Sequence, residues 1–452
     1  MPLSEPKAYA SQSEVAVVGG GLAGLATALA VGSAGHTVTV FEARAFLGGR
    51  ATSYPLNSAD EGGPTIDNCQ HVLLRCCTNL IDFYKRLGVE DRIHFHREVY
   101  WVEPGGRVSR MRRGLLPAPF HFTESFARLH FLSAADKISI GQALLSVQRE
   151  FRRRTDLEHM TMLDWLREKK QTQPAIERFW RQVLVSAVNE ELDCMAAVHG
   201  LQVFFLGFLS RADSYEVGIP NVPLAELYSN NAWAKYPQIN IVHRATVQGL
   251  KIANNTVSHL VVNGERVKAE AYVLALPFER VAALAPDLRI DFSRFTHSPI
   301  TGIHLWFDRA ITDLPHATLL DRTIQWMFNK QDGRHIQLVV SASRSLVGMK
   351  REDVIELALR ELKDFFPRAT EAQLERAHVV KEVRATFSAA PNLEELRPFS
   401  ATSVPNLFLA GDWTRSGWPA TMEGAVRSGY LAAEALLSSL GEARQFLLPD
   451  VA

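Results

Sequence analysis

With 452 residues, 47% of them hydrophobic and 22% charged, the chain is long enough to bury a large core, and its length predicts two domains. Its 49 Lys and Arg balance 49 Asp and Glu, which argues against nucleic acid as a general partner, because binding a phosphate backbone needs a basic surplus. The four cysteines, Cys69, Cys76, Cys77 and Cys194, have no metal-type spacing and read as reduced thiols of a cytoplasmic protein.

Met1 to Glu14 is polar and lacks the basic region and apolar core of an export signal. Val15 to Val18 then forms a continuous apolar run, expected of a strand buried on both faces. The small residues Gly24, Ala26, Ala28 and Ala30 that follow read as a helix lying close to that strand. Gly19 makes the turn between them. Gly21 lets the backbone approach a pyrophosphate, and Gly24 lets helix and strand pack closely. Leu22 and Ala23 open the helix, whose N-terminus offers amides and partial positive charge to phosphates. Glu42 ends the next strand, Val38-Thr39-Val40-Phe41-Glu42, roughly 20 residues past the glycines, where a carboxylate accepts hydrogen bonds from a ribose hydroxyl. The helix from Leu22 to Ala34 is too short to span a membrane.

Four arginines, Arg107, Arg110, Arg112 and Arg113, precede an apolar and aromatic run. That order suits a monotopic membrane contact, with Leu115, Leu116, Phe120, Phe122, Phe126, Phe131 and Leu132 entering the acyl boundary. A basic surface loop followed by ordinary core is the competing reading. Ser133 and Asp136 resemble a capping box that opens a helix through Ile138, Leu144, Leu145 and Phe151. Val203-Phe204-Phe205-Leu206-Gly207-Phe208-Leu209 is the richest aromatic cluster, either buried core or the lining of a tunnel. Strand-like runs follow, from Ile241 to Leu250, Leu260 to Val262 and Ala271 to Leu276, punctuated by Asn254-Asn255 and Gly264. Near the end, Leu407-Phe408-Leu409-Ala410-Gly411-Asp412 leads to Met422-Glu423-Gly424-Ala425.

These two ends, together with Ala43-Arg44-Ala45-Phe46-Leu47-Gly48-Gly49-Arg50-Ala51, resemble the flavin amine oxidase and carotenoid desaturase superfamily. The resemblance implies FAD and an α/β fold: a Rossmann-like FAD-binding domain with an interleaved α+β substrate domain. It assigns residues 1–100, 224–294 and 388–452 to the first, and 101–223 and 295–387 to the second, with a membrane-contacting segment at 107–132. It places Ala43, Arg44, Gly49, Arg50 and Ala51 near the cofactor's phosphates, Val247 against adenine, and Gly411 and Asp412 at the diphosphate and ribityl chain. The helix opening at Met422, Glu423 and Ala425 points at the pyrimidine ring, where a helix N-terminus stabilises the negative charge of the reduced flavin.

Ile66-Asp67-Asn68-Cys69-Gln70-His71-Val72-Leu73-Leu74 and the tryptophan-bearing block from Leu409 to Tyr430 resemble the hydroxysqualene dehydroxylases. Cys69 departs from that pattern, which more often has glycine. The implied reaction turns an allylic alcohol into squalene: an acid protonates the hydroxyl, water leaves, and reduced flavin delivers hydride from N5. Asp67 and His71 are the candidate acids and Gln70 an orienting donor. Each has a structural alternative, Asp67 capping a turn and His71 satisfied in the core. The implied partners are an isoprenoid lipid, the inner face of the cell membrane and an external electron donor, with no metal. Two alternatives stay open: a desaturase or amine oxidase using oxidised FAD, and a non-enzymatic prenyl-lipid escort.

Overall fold

The computed structural model describes residues 13–56 and 65–451, so most of the N-terminal stretch read for an export signal lies outside the described residues. Five parallel strands form one sheet in the order Ile239–His243, Val38–Glu42, Ser13–Val18, Ala269–Leu274 and Leu407–Leu409. The first helix, Leu22–Ser33, packs on the last, Met422–Ser439, at very short range. A Cβ on Gly429 would stand 2.3 Å from the Ala23 carbonyl oxygen, and the Thr27 hydroxyl donates to the Gly429 carbonyl at 3.1 Å. Small residues on both helices are what permit this crossing.

Between the strands Ile239–His243 and Ala269–Leu274 the chain makes an antiparallel excursion, Val247–Ala253, Thr256–Val262 and Glu265–Val267. Its first turn is Asn254-Asn255, with φ of 51° and 59°, the left-handed pair that a two-residue hairpin needs.

The second sheet has seven strands in the order Leu374–Phe387, His297–Phe307, His335–Ser341, Trp326–Gln331, His316–Leu319, Val99–Val102 and Val108–Met111. The strand Val99–Val102 straddles residue 100, where the sequence places a domain boundary. A small three-stranded sheet pairs Val217–Pro220 with Leu73–Leu74 and Ile93–His96, tying segments from the two expected domains together. The capping box forms as read: Ser133 Oγ accepts the Asp136 amide at 3.2 Å and Asp136 Oδ2 accepts the Ser133 amide at 2.9 Å, opening the helix Ala134–Glu150.

Segment 107–132 divides. Leu115, Leu116 and Phe120 are exposed, at 104%, 52% and 56%. Phe131 and Leu132 are buried in the core, which corrects their assignment to a lipid-facing run. Phe122 and Phe126 are half-buried, with Phe122 against Tyr215 and Phe126 against Phe179. Among the described residues, no helix is long and apolar enough to cross a membrane.

Candidate active site

The five parallel strands end in register. Val18 pairs with Phe41 and Leu274, Leu274 with Leu409, and His243 with Glu42. The residues that follow them, Gly19, Ala43, Arg244, Ala275 and Ala410, therefore share one rim, the carboxyl edge at which open α/β sheets bind ligands.

The glycines on this rim have different jobs. Gly19 has φ +110°, and a Cβ there would stand 2.4 Å from the Ala275 carbonyl oxygen. A Cβ on Gly24 would stand 2.0 Å from the Gly19 oxygen. Gly21 relieves no such clash: its φ is −78°, and a Cβ would meet only the Gly49 Cα, 3.8 Å away. Its missing side chain leaves room above the helix N-terminus, where the first-turn amides of Leu22, Ala23 and Gly24 have no intrahelical acceptor.

The second glycine pair folds over the first through a hydrogen bond from the Gly48 amide to the Gly20 oxygen at 2.9 Å. Ala51 closes that turn, its amide donating to the Gly48 oxygen at 3.0 Å. Glu42 accepts the Gly20 amide at 2.7 Å and the Arg44 amide at 2.8 Å, and each carboxylate oxygen keeps a lone pair for a ribose hydroxyl. Arg44 donates to the Gly49 oxygen at 3.2 Å, while Ala43 is exposed on the rim. Val247 follows closely on Arg244 and Ala245, whose amides donate to the Arg44 and Glu42 oxygens, so it starts its strand beside the Glu42 end of the rim.

Arg50 joins the two ends of the chain, donating to Asp412 Oδ2 at 2.6 Å across 362 residues. Asp412 is itself fixed by buried Arg397, which donates to its carbonyl oxygen at 3.0 Å, and the Gly411 amide donates to Ser428 Oγ at 2.9 Å. Arg44, Arg50, Arg384, Asp412 and Trp413 line a groove of about 780 Å³. An open glycine turn, a ribose-facing carboxylate and an arginine-lined groove on one rim fit a dinucleotide.

The last helix begins where this rim meets a second, larger cavity. Thr421 Oγ1 caps the Gly424 amide at 3.0 Å and the Thr421 carbonyl accepts the Ala425 amide at 2.9 Å, which leaves the amides of Met422 and Glu423 without intrahelical acceptors. Met422 lines the cavity. The expectation for Glu423 concerns its place in the helix's amide end, and its side chain has a separate task. Its carboxylate accepts the Asn79 and Leu80 amides and so caps the helix Thr78–Leu87.

The cavity holds about 1450 Å³ of empty space, part of it open to solvent, and Leu73, Leu206, Phe208, Trp326, Phe328 and Trp418 are among its walls. The aromatic cluster read as tunnel or core is both. Val203, Leu206 and Phe208 face the cavity, whereas Phe204 is buried against Trp180 with ring centres 4.5 Å apart. A π-helical turn at Phe205–Leu209 produces the split, by shifting the side chains out of the preceding helical register.

Of the segment 67–71, Gln70 lines this cavity, and Asp67 and His71 flank it in the chain with defined partners of their own. Asp67 is buried and accepts from Ser53 Oγ at 2.7 Å, the Leu224 amide at 3.1 Å and Lys330 Nζ at 3.1 Å. Burial pushes its carboxyl up, but Lys330, Ser53 and the Leu224 amide together hold it below the ordinary carboxylate value. The Asp67 carboxyl thus serves Lys330, Ser53 and the Leu224 amide as an acceptor. Burial holds the His71 imidazole below its ordinary value. Its Nδ1 lies 2.8 Å from the Cys69 oxygen and donates to it, which fixes the orientation of the ring. Gln70 lines the cavity, as its expected role requires, and its Oε1 accepts Lys330 Nζ at 2.9 Å.

The family model for flavin containing amine oxidoreductases matches residues 22–437, nearly the whole chain. The chain belongs to this family. Across 95% of its length it is 27% identical to the 15-cis-phytoene desaturase of Synechococcus elongatus, covering 96% of that protein. It is 26% identical to the hydroxysqualene dehydroxylase of Zymomonas mobilis subsp. mobilis, over 93% of this chain and 98% of that one. The crystallised cyclohexylamine oxidase of Brevibacterium oxydans superimposes with a TM-score of 0.67 at 16% identity, covering 95% of this chain and 100% of that one, and shares its fold.

This amine oxidoreductase is therefore an FAD-dependent enzyme of α/β fold, and the rim is where FAD fits. Sequence reasoning missed Lys330, Arg397 and Asp450. Asp450 accepts from the Trp418 indole at 3.0 Å and from Arg427 at 3.0 Å, fixing one cavity wall. The partners of Lys330 lie 260 and 263 residues away, and Arg397 reaches Asp412 across 15 residues while Asp450 reaches Arg427 and Trp418 across 23 and 32, so no local spacing marks them.

Proposed function

We propose that this enzyme reductively removes the hydroxyl of a long allylic isoprenoid alcohol of the hydroxysqualene type, working as a peripheral protein on a membrane surface. The observation that carries this reading is the large cavity, which is apolar along most of its wall and polar at Gln70, beside the first turn of the last helix. A squalene-like skeleton offers almost nothing but dispersion and hydrophobic contact, which such a wall provides.

FAD, reduced beforehand by an external donor, supplies the hydride. The chain excludes water from the alcohol, presents the Gln70 amide to its oxygen, and lays aromatic faces along the allylic carbons. Trp326 and Phe328 stack with ring centres 5.6 Å apart and planes 10° apart, and their quadrupoles favour positive charge as the hydroxyl departs. The proton that leaves with the hydroxyl as water would come from the fully reduced cofactor, which carries two hydrogens, so that hydrocarbon, water and oxidised FAD balance the step.

Desaturation by oxidised FAD is the second reading, supported by the comparable similarity to phytoene desaturase. Direction of electron flow separates the two. The enzyme is reduced without oxygen and given hydroxysqualene, and flavin reoxidation is followed together with squalene. Matched reoxidation and squalene formation support dehydroxylation. No reoxidation, with dehydrogenation of a polyene by the oxidised enzyme, replaces it with desaturation.

A further inference from the structure

The strand Trp326–Gln331 builds one wall of the cavity with Trp326 and Phe328 and then changes register. Asn329 opposes Ile336 and Gln331 opposes His335, so Lys330 is the extra residue of a bulge, a device that re-aims a side chain. Its ammonium lies 3.1 Å from Asp67 Oδ2 and 2.9 Å from Gln70 Oε1. The Asp67 side chain is 4% exposed and that of Lys330 20%, so the opposite charges pin each other in a poorly solvated place.

An ammonium only donates. The atom of Gln70 that faces Lys330 must therefore be its oxygen, and the amide nitrogen must point elsewhere. That nitrogen makes one long contact, to the His71 oxygen at 3.3 Å, and has a second N–H to give. Several other polar side chains on the cavity wall are already engaged, whereas the Trp101 indole N–H has no hydrogen-bond partner. Ser186 accepts the Trp326 indole and donates to the Gln182 oxygen, Gln202 donates to the Gly417 oxygen, Tyr215 donates to the Arg97 oxygen, and Glu423 is capped by amides.

We propose that Lys330 is a specificity-determining residue: by fixing Gln70 with its N–H toward the cavity, it makes the site select an isoprenoid that carries an oxygen over the matching hydrocarbon. The inference rests on reading the cavity as the isoprenoid site and deepens it by naming what its polar end recognises. Lys330 acts through Gln70 and is a positioning residue, with Asp67 as its anchor.

The test compares binding of farnesol and farnesene to the oxidised, FAD-loaded enzyme, read by quenching of the cavity tryptophans. The wild type is expected to bind farnesol about 10-fold more tightly, the value of one well-placed hydrogen bond. Lys330→Met is expected to bring the ratio close to 1 while farnesene affinity is unchanged. Asp67→Asn/Lys330→Met removes both buried charges, Gln70→Leu leaves the ion pair intact, and both are expected to lose the preference in the same way. Lys330→Arg, which still donates, is expected to retain part of it. Equal affinities in the wild type, or an undiminished preference in any correctly folded Met or Leu variant, overturns the proposal. A preference lost in these variants supports it even if the reduced enzyme fails to dehydroxylate hydroxysqualene, a failure that counts against the proposed reaction alone.

Discussion

Glu423 Oε2 accepts the backbone amide of Leu80 at 2.7 Å, so a carboxylate at the start of the last helix closes the N-terminus of the helix Thr78–Leu87. Its other oxygen accepts the Asn79 amide at 3.2 Å and the Asn79 side chain at 2.9 Å. Burial nevertheless pushes the Glu423 carboxyl up from 4.5 to about 6, against the opposing effects of Leu80, Asn79 and Arg427. A carboxyl raised in the folded state gives stability that is fully present below its unfolded value and lost as pH rises through its folded one. The window is therefore from 4.5 to about 6, and the loss is about 2 kcal/mol. Glu423→Gln is expected to flatten the change in melting temperature across that window, measured by calorimetry on the FAD-loaded protein. It is also expected to lower the melting temperature at neutral pH, because a donor-bearing amide replaces one acceptor. Parallel pH profiles for the two proteins would rule Glu423 out as the source.

Gly21 and Gly24 stand three residues apart and are expected to fail differently. Alanine at Gly24 drives a methyl to 2.0 Å from the Gly19 oxygen, so Gly24→Ala is expected to lower the melting temperature of the protein even without FAD. Alanine at Gly21 meets only the Gly49 Cα at 3.8 Å, and the backbone there, with φ −78°, suits any residue. Gly21→Ala is expected to fold with an apoprotein melting temperature close to the wild type and to lose FAD affinity at least about 10-fold, because its methyl occupies the approach to the helix N-terminus. Flavin content and apoprotein melting together separate the two. A yellow Gly21→Ala protein with unaltered affinity would mean that the cofactor does not approach there.

What was legible in the sequence was local. The glycine turn, Glu42 at a strand end, the Asn254-Asn255 hairpin and the Ser133 capping box all depend on residues within one or two elements of each other, and all are present. The pairing of Asp67 was not legible, because its partner Lys330 lies 263 residues away on another sheet. Nor was the fate of Glu423, which reads as part of a cofactor-facing helix but turns its carboxylate to residues 343 and 344 positions earlier. Helix periodicity likewise cannot divide Phe204 from Phe208, because a π-helical turn breaks the period between them.

Asp412 meets the N-terminal half of the site through Arg50, and its backbone is held by Arg397, so its carboxylate is well placed at the rim before any cofactor arrives. Asp412→Ala leaves Arg50 without that partner and removes an acceptor from the cofactor groove. It is expected to weaken FAD binding about 10- to 100-fold, the usual cost of a lost charged hydrogen bond. Titration of apoprotein with FAD, followed by flavin fluorescence, gives the number. An unchanged dissociation constant would take Asp412 out of the cofactor site.

Leu115, Leu116 and Phe120 project from the protein close to exposed Arg110, Arg112 and Arg113, an arrangement suited to an anionic lipid surface. Phe122, just behind them, touches Tyr215 with ring centres 4.6 Å apart and Phe208 at 6.1 Å, and both of these rings line the large cavity. The loop is therefore one ring removed from the cavity, and apolar substrate passing from a bilayer would have little water to cross. Replacing Leu115, Leu116 and Phe120 together by Ser removes apolar groups worth roughly 1.5–3 kcal/mol each when fully buried. Even partial insertion predicts at least about a 10-fold loss of co-sedimentation with anionic vesicles, and the wild type is expected to release progressively as salt screens the arginines. Because all three side chains are exposed, the triple variant is expected to keep its melting temperature, its flavin and its turnover of detergent-dispersed substrate. Vesicle binding that survives the triple substitution would move the membrane contact to another face.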